Sequence, residues 1–185
     1  GSHSDAEIDE VIAVASEAID VLVSIFDPEI HQFQTLELVD LIIKSGTGGN
    51  ELALGVVTDY LDIFNDDTTM RLGYANLLFN LLRLDDAKIE AIKVLDAPQA
   101  TVGIQAIEQY SHRPQAARIL FKIARDKHGK SEDKEDIESL FVEAKMYRKK
   151  ILDFVSGDLE HPFILEADGD LASMQKNYQV AVGKF

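Results

Sequence analysis

Positively charged side chains recur at helical spacing in the second half of the chain, where they could bind phosphates or acidic surfaces. Arg118, Lys122 and Arg125 follow the spacing i, i+4 and i+7, which places them on one face of a helix. A second cluster comprises Lys145, Arg148, Lys149 and Lys150. Neither cluster has the series of aromatic residues on which successive bases stack in single-strand-binding proteins. We interpret both as solvated faces, with a protein-binding and then an RNA-binding surface as the alternatives.

A lysine followed by three glycines, at residues 44–49, is similar in composition to a phosphate-binding loop. The Walker motif, however, places Gly-Lys-Ser/Thr after four spacer residues and requires a strand before the loop. Here Lys44 precedes the glycines, and the apolar pattern before it is helical. We therefore interpret residues 45–49 as a turn that ends a helix.

Acidic residues between Glu166 and Asp170 could be read as part of a calcium-binding loop. If Gly169 occupied position six of that loop, positions one and twelve would be Ile164 and Gln175. Neither side chain provides the carboxylate that these positions require. Asp168 or Asp170 is expected instead to cap a helix.

The remaining chemistry-bearing residues form no recognisable catalytic or metal-binding pattern. His31, His112, His128 and His161 are scattered, and no HExxH or Gly-x-Ser-x-Gly motif is present. The chain contains no cysteine, which excludes disulfides and thiolate metal sites. The sequence therefore predicts no catalytic, cofactor-binding or metal-binding residue, no small-molecule substrate and no enzyme. It also shows no signal peptide or transmembrane run, so a cytoplasmic protein is expected.

Helical periodicity runs through nearly the whole chain, and no segment alternates as a strand would. The first predicted helix follows the period of Ile8, Val11, Ile12, Ala15, Ile19, Leu22 and Val23. Its predicted end is near Phe26. The predicted helices begin at Ser4, Asp27-Pro28, Asn50, Asp66 or Asp67, Asp86, Thr101, Pro114, Ser131 and Asp170. Breaks are expected at residues 45–49, at Ala97-Pro98, after Tyr110, at His128-Gly129 and in residues 157–169. Eight or nine antiparallel helices with this spacing predict an all-α, right-handed helical-repeat solenoid, degenerate and similar to tetratricopeptide or HEAT arrays.

Residues 68–84 form the most unusual of these helices, because apolar side chains occur on nearly every face. Only Thr69, Gly73, Asn76, Asn80 and Arg83 align as a narrow polar seam. A helix that is apolar almost all round is normally covered on more than one side. The stretch is too short and too interrupted to span a membrane. It therefore predicts the middle layer of a helical stack.

The negative charge of the chain is concentrated in its first third. Residues 1–67 contain 15 Asp and Glu and one Lys, a net charge of −14, whereas residues 68–185 contain 18 Asp and Glu and 17 Lys and Arg, a net charge of −1. Gly1 to Ser4 are interpreted as an expression-tag remnant, and the rest as a fragment of a longer protein. We expect one helical-repeat domain over residues 5–185, with an acidic layer at 5–67 and a near-neutral layer at 68–185.

Two stretches resemble a known family. Residues 68–82, and above all Met70-Arg71-Leu72 followed by LLFNLL at 77–82, are similar to a segment of subunit M of eukaryotic translation initiation factor three. In the same order, a second set resembles the passage that precedes the winged-helix half of that family's PCI domain. Its members are Glu143, Ala144, Lys145, Ile151, Phe154, Val155, Phe163 and Leu165.

This resemblance implies the N-terminal helical-repeat part of a non-catalytic scaffold subunit. Its partners would be other subunits of the initiation factor on the small ribosomal subunit, with no direct contact to nucleic acid or membrane. PCI subunits of the COP signalosome and the proteasome lid are alternatives within the same family. A second class of function is an armadillo- or HEAT-like adaptor, in which Asn76 and Asn80 would hold an extended peptide. An enzyme or ligand-binding bundle is the third.

Overall fold

The computed structural model describes residues 5–45, 49–98 and 104–183, which form eight α-helices and a short 3₁₀ turn and contain no strand. The helices are α1 Asp5–Ser24, α2 Thr35–Ser45, α3 Gly49–Ile63, α4 Thr68–Asn80, α5 Leu84–Asp96, α6 Ile104–Lys130, α7 Lys134–Phe154 and α8 Pro162–Gly183. The 3₁₀ turn, Gln32–Gln34, precedes α2. This all-α architecture confirms the predicted fold class and is consistent with a helical-repeat fold.

The chain divides into two compact units, Gly1–Met70 and Arg71–Phe185. The boundary lies inside α4, close to the position where the charge balance changes. Because residues 68–70 are uncharged, unit 1 carries the whole −14 and unit 2 carries −1. The single domain predicted over residues 5–185 stays a prediction.

In unit 1 the core lies between α2 and α3. Ile42 and Val57 are fully buried there, together with the ring of Tyr60. The Tyr60 hydroxyl donates to Asp67 Oδ2 at 2.8 Å and accepts from Gln32 Nε2 at 3.3 Å. Burial, with the neighbouring carboxylate of Asp67, raises the pKa of Tyr60. One buried phenol thus connects α3 to the 3₁₀ turn and to the residue that caps α4.

Unit 2 is organised around α6, which packs against α5, α7 and α8. Most of its largest fully buried side chains come from α6, α7 and α8, and one comes from α4. They are Leu78, Leu120, Phe121, Ile123, Ile151 and Ile164. Small residues on α5 and α6 have no exposed surface, among them Ala87, Ala91, Ala116 and Ala117, and allow close approach of the helices. The unit thus has a continuous apolar core.

Helix α4 buries apolar side chains on most of its faces, as expected from residues 68–84, while its place as the middle layer of a helical stack stays a prediction. Five of its apolar residues are buried and are distributed around most of the helix: Met70, Leu72, Ala75, Leu77 and Leu78. Gly73, Asn76 and Asn80 are exposed, so the polar seam is the solvent-facing strip. Asp67 Oδ1 accepts from the Met70 N–H at 2.9 Å, which confirms the cap predicted there. The helix ends at Asn80 rather than at Leu84.

The early end of α4 is a Schellman motif built on a leucine. The Arg83 N–H donates to the Leu78 carbonyl at 2.9 Å, and the Leu82 N–H donates to the Phe79 carbonyl at 3.0 Å. This pairing requires a left-handed residue, and Leu82 adopts φ +60°. Glycine usually occupies this position, since a Cβ atom disfavours the left-handed region by about 1–2 kcal/mol.

Helix α7 ends in the same way. Ser156 adopts φ +58°, and the Gly157 N–H donates to the Leu152 carbonyl at 2.9 Å. A glycine is present at this end, but it is Gly157, one residue after the left-handed position that glycine usually occupies in this motif. In both helices, therefore, the left-handed residue at the end has a Cβ atom, which disfavours that backbone conformation.

Replacing Leu82 with Gly is expected to raise the free energy of unfolding by up to about 1 kcal/mol, because it relieves left-handed strain and the Leu82 side chain is 66% exposed. The matched control is Leu82→Ala, which removes the same exposed side chain but keeps Cβ, so no gain is expected. Urea denaturation of both variants measures the difference. A lower stability for Leu82→Gly than for Leu82→Ala would contradict the strain argument.

Several predicted helix starts were wrong. The second helix was expected at Asp27-Pro28 but begins at Thr35. Asp27 caps a turn instead: its Oδ1 accepts from the Glu29 N–H, and its own N–H donates to His31 Nδ1, both at 3.0 Å. These hydrogen bonds hold residues 27–31 in a turn, so the helix starts only after His31. The His31 carbonyl accepts from the Thr35 hydroxyl at 3.2 Å.

The starts of α3 and α5 also differ from the prediction by one or two residues. Helix α3 begins at Gly49, so Asn50 lies inside its first turn rather than at the cap. Helix α5 begins at Leu84, which places Asp86 in its first turn. The Asp86 carboxylate accepts from Arg83 Nε at 2.9 Å instead of capping the helix. The predicted break at Ala97-Pro98 is confirmed, because Ala97 has the extended backbone that a following proline imposes.

Pro114 was expected to separate two helices, but α6 runs through it without a break. A proline inside a helix removes one hydrogen bond, here the one to the Tyr110 carbonyl, and crowds that turn. Pro114 itself is buried, and the fully buried residues that follow it continue the same helix into the core. The free energy gained by burying this face of α6 outweighs the cost of the hydrogen bond lost at Pro114. The predicted start at Thr101 lies outside the described residues.

The caps of the last two helices were also misassigned. Asp133 caps α7, where its Oδ1 accepts from the Glu135 N–H at 2.8 Å and the Asp136 N–H at 3.0 Å. Ser131, the predicted cap, accepts from the Asp133 N–H at 3.2 Å and so orients the true cap.

Helix α8 begins at Pro162, not at Asp170. The imidazole of His161 serves as its cap, since Nδ1 accepts from the Phe163 N–H at 3.2 Å. Proline is favoured in the first helical position because its missing N–H would have no partner there. Asp168 and Asp170 therefore lie inside a helix, and their carboxylates are available for other contacts.

Candidate protein-interaction surfaces

The basic stripe on α6 lies against acidic residues of α8. Arg118 donates to both carboxylate oxygens of Glu166, from Nε at 2.5 Å and from Nη2 at 3.0 Å. Lys122 lies 3.1 Å from the same carboxylate, and Arg125 Nη1 donates to Asp170 at 2.8 Å. The interpretation as a solvated face was wrong, because all three cations form half-buried ion pairs within unit 2.

A third carboxylate secures the opposite flank of α8. Arg148 on α7 binds Asp168 through two bonds, from Nε at 2.8 Å and from Nη2 at 2.9 Å. At 3.6 residues per turn, Glu166 and Asp170 share one side of α8 while Asp168 lies on the other. Buried residues of α8 lie between the flanks, among them Ile164, Ala167 and Met174. We call this arrangement the α8 clamp.

The clamp changes the ionisation of its carboxyl groups. Hydrogen bonds from Arg118 and Lys122 lower the pKa of Glu166 against the opposing effect of burial. The hydrogen bonds from Arg148 lower the pKa of Asp168 in the same way. Charge complementarity between residues 166–170 and the α6 stripe was the sequence signal for this contact.

The second basic cluster is divided between internal and exposed roles. Arg148 belongs to the α8 clamp, and Lys145 Nζ lies 4.4 Å from the centroid of the Phe141 ring, a cation–π distance. Lys149 and Lys150 are exposed. These two adjacent lysines form a small positively charged surface.

The histidines serve local structure. His31 and His161 accept backbone N–H groups at turns, and His112 and His128 are buried in α6. In the described part of the chain, no three His, Asp or Glu side chains form a group that could hold a metal ion. The superficially loop-like residues 46–48 lie outside the described residues.

His128 stands at the edge of an open depression of about 340 Å³ near the end of α6. Its Nε2 atom is buried and makes no hydrogen bond within the described residues. Burial lowers the pKa of His128, since a low-dielectric site disfavours the charged ring. Arg125 also lines the depression, but Asp126 and Asp170 already engage it.

Acidification is expected to destabilise the protein through His128. The pKa of His128 in the folded state is lowered below the value of about 6.5 that it has in the unfolded chain. As the pH falls below about 6.5, the unfolded chain therefore binds the proton before the folded protein does, and the free energy of unfolding decreases. The carboxylates with lowered pKa affect the free energy of unfolding only below about pH 4.5. Urea denaturation between pH 7 and pH 5 should therefore show a decline that His128→Leu reduces. An unchanged slope in the variant would contradict this assignment.

The surface of unit 1 is unusually apolar for so acidic a segment. Exposed large apolar side chains occur in all three of its complete helices and in the turn after α1. They are Val14, Val21, Leu22, Ile25, Ile30, Leu36, Leu41, Ile43 and Ile63. Isolated exposed apolar residues are ordinary, but residues aligned on one helix face indicate a contact surface.

Exposed apolar residues form a stripe along α1 that ends at Ile25, the first residue of the turn after the helix. Val14, Ala18, Val21 and Ile25 follow the spacing i, i+4, i+7 and i+11, and all four are exposed, Val21 to 59% and Ile25 to 64%. The predicted period of this helix runs through Ile19, which lies on the buried side. The second stripe could not be identified in this way, because the helix carries two apolar faces and periodicity alone does not tell which one is covered.

No helix in the described residues combines the length and the apolar character needed to cross a membrane. Comparison with known proteins finds no family model, no curated sequence and no solved structure that matches this chain.

Proposed function

We propose that the chain is a non-catalytic helical scaffold subunit of a multiprotein complex, and that unit 1 provides one of its contact surfaces. The observation that carries the proposal is the aligned, exposed apolar face of α1, supported by further exposed residues such as Leu36 and Ile43 on α2. Such faces bind partner helices by burying apolar area. The ion pairs described in unit 2 connect its own helices to one another.

The complex that we propose is eukaryotic translation initiation factor three, which would place the protein in the cytoplasm. The support is the resemblance of residues 68–82 and of the set from Glu143 to Leu165 to its subunit M. These residues belong to α4 and the two residues after it, to α7 and the residue after it, and to the first turn of α8. The COP signalosome and the proteasome lid, which share PCI subunits, are the alternatives of the same kind.

An adaptor that binds an extended peptide is a second candidate, and the exposed seam of α4 favours it. Asn76 and Asn80 are both solvent-facing and one turn apart, so their amides could pair with the backbone of a peptide. A double replacement of both by Ala would abolish such binding without touching the apolar core.

Affinity purification of the tagged full chain from its native lysate tests the proposal. Subunits of initiation factor three should be recovered in stoichiometric amounts, and Val21→Glu with Ile25→Glu should reduce their recovery. Val142→Glu on α7 is the matched control, since Val142 is 56% exposed and lies in unit 2. Recovery of signalosome or lid subunits would support the alternative complexes, and recovery of no complex would contradict a scaffold role.

A further inference from the structure

We propose that the exposed stripe of α1 binds a basic amphipathic helix of a partner protein. This inference rests on the proposed scaffold function and specifies the chemistry of one partner. The stripe consists of Val14, Ala18, Val21 and Ile25. At 1.5 Å per residue it extends for about 16 Å, close to three helical turns.

The geometry of the stripe favours a helix as its occupant. Its residues repeat with the helical period, and the Ile25 N–H still donates to the Val21 carbonyl at 3.2 Å, so a partner with apolar residues at i, i+3, i+4 and i+7 can match them. Ala18 lies between the larger Val14 and Val21 and leaves a shallow recess for an incoming side chain. Val21 and Ile25 retain more than half of their surface, so a partner gains apolar burial without unfolding α1.

The charge of unit 1 defines the remaining chemistry of the partner. Glu17 is exposed on α1 one turn before Val21, beside the stripe, and Asp20 is exposed farther round the helix. Unit 1 contains a single Lys or Arg, Lys44, and its ammonium group already pairs with Asp40 at 2.5 Å. A helix with Lys or Arg flanking its apolar face therefore complements this surface. A second copy presenting its own unit 1 would meet like charge, which disfavours that contact.

The direct test uses the full chain and a synthetic probe. The probe is a fluorescein-labelled peptide of about 18 residues, with Leu at the apolar helical positions and Lys elsewhere. Fluorescence anisotropy should show saturable binding that weakens with salt. Val21→Glu and Ile25→Glu should each reduce affinity about tenfold or more, because each places a charge at the centre of the contact. The control Val142→Glu should leave affinity unchanged, and circular dichroism should show intact helices in all variants.

Two further binding experiments separate the apolar from the electrostatic contribution to the affinity. A peptide with Glu in place of Lys should bind at least about tenfold more weakly, and the chain with Glu17→Lys and Asp20→Lys should lose affinity for the Lys peptide. Equal binding of the Glu peptide, or unchanged binding by Val21→Glu, would overturn the inference. So would dimers in analytical ultracentrifugation that Val21→Glu abolishes, since they would identify a second copy as the occupant.

The failure of this inference is distinguishable from failure of the proposed function. If affinity purification recovers a complex that Val21→Glu does not disturb, the scaffold proposal stands and the α1 stripe is not its contact. If no complex is recovered but the peptide binds in the manner described, the α1 stripe binds a basic helix and the proposed complex is wrong.

Discussion

Replacement of Glu90 by Ala is expected to lower the free energy of unfolding by about 3 kcal/mol, the largest effect of any single substitution considered. Glu90 retains only 8% of its surface on α5. Its Oε2 accepts from Arg71 Nη1 at 2.6 Å, and its Oε1 accepts from Lys93 Nζ at 2.7 Å. The Arg71 side chain is itself 13% exposed, so removal of the carboxylate leaves a cation in a poorly solvated site.

Urea denaturation of the full chain measures this loss, and two further variants define its origin. Asp86→Ala removes the exposed pair with Arg83, whose side chains are 44% and 49% accessible, and should cost no more than about 0.5 kcal/mol. The double variant Arg71→Met with Glu90→Leu should recover most of the loss, because it removes both charges together. A decrease below about 1 kcal/mol in Glu90→Ala would show that the buried pair contributes little.

Reversal of charge at Glu166 is expected to lower the free energy of unfolding by about 2 kcal/mol. Glu166→Lys places a third cation beside Arg118 and Lys122, which now share that carboxylate. The side chain is 33% accessible, so solvent screens part of the repulsion and the expected loss is smaller than for Glu90. Helix α8 should loosen first, since this contact fixes one of its flanks.

The matched control is Glu138→Lys on α7, an exposed position at which the same reversal should change stability by less than about 0.5 kcal/mol. Hydrogen exchange should show faster exchange in α8 for Glu166→Lys only. In 1 M salt the difference between the variant and the original protein should shrink, because the Debye length falls to about 3 Å. A loss that is independent of salt would indicate disturbed packing instead of charge repulsion.

The helical architecture could be predicted from sequence because its signals are local. Periodicity identified α4 and its polar seam, and a carboxylate before an apolar run identified the Asp67 cap. Pro114 misled the prediction, since the local cost of a proline is visible in the sequence but the burial of the face around it is not. His161 was missed as a cap because imidazole is not among the side chains favoured there.

The interaction surfaces could be predicted less well, because they depend on which helices meet. Arg118, Lys122 and Arg125 have the same spacing whether they meet solvent, RNA or another helix. Only the fold brings Glu166 and Asp170 opposite them. The same limit applies to α1, where Ile19 and Val21 are equally apolar but only Ile19 is covered.

The α8 clamp has a mechanical consequence. The apolar seam of α8 alone does not fix the rotation of the helix about its axis as directly as hydrogen bonds would, because apolar contacts are non-directional. Carboxylates on both flanks oppose rotation of α8 in either direction. A rotation that shortens the ion pair of Asp168 with Arg148 lengthens the ion pairs of Glu166 and Asp170 on the other flank. The clamp therefore acts as a torsional stop, and it holds the outer face of α8, with the exposed Leu165 and Lys176, at one orientation.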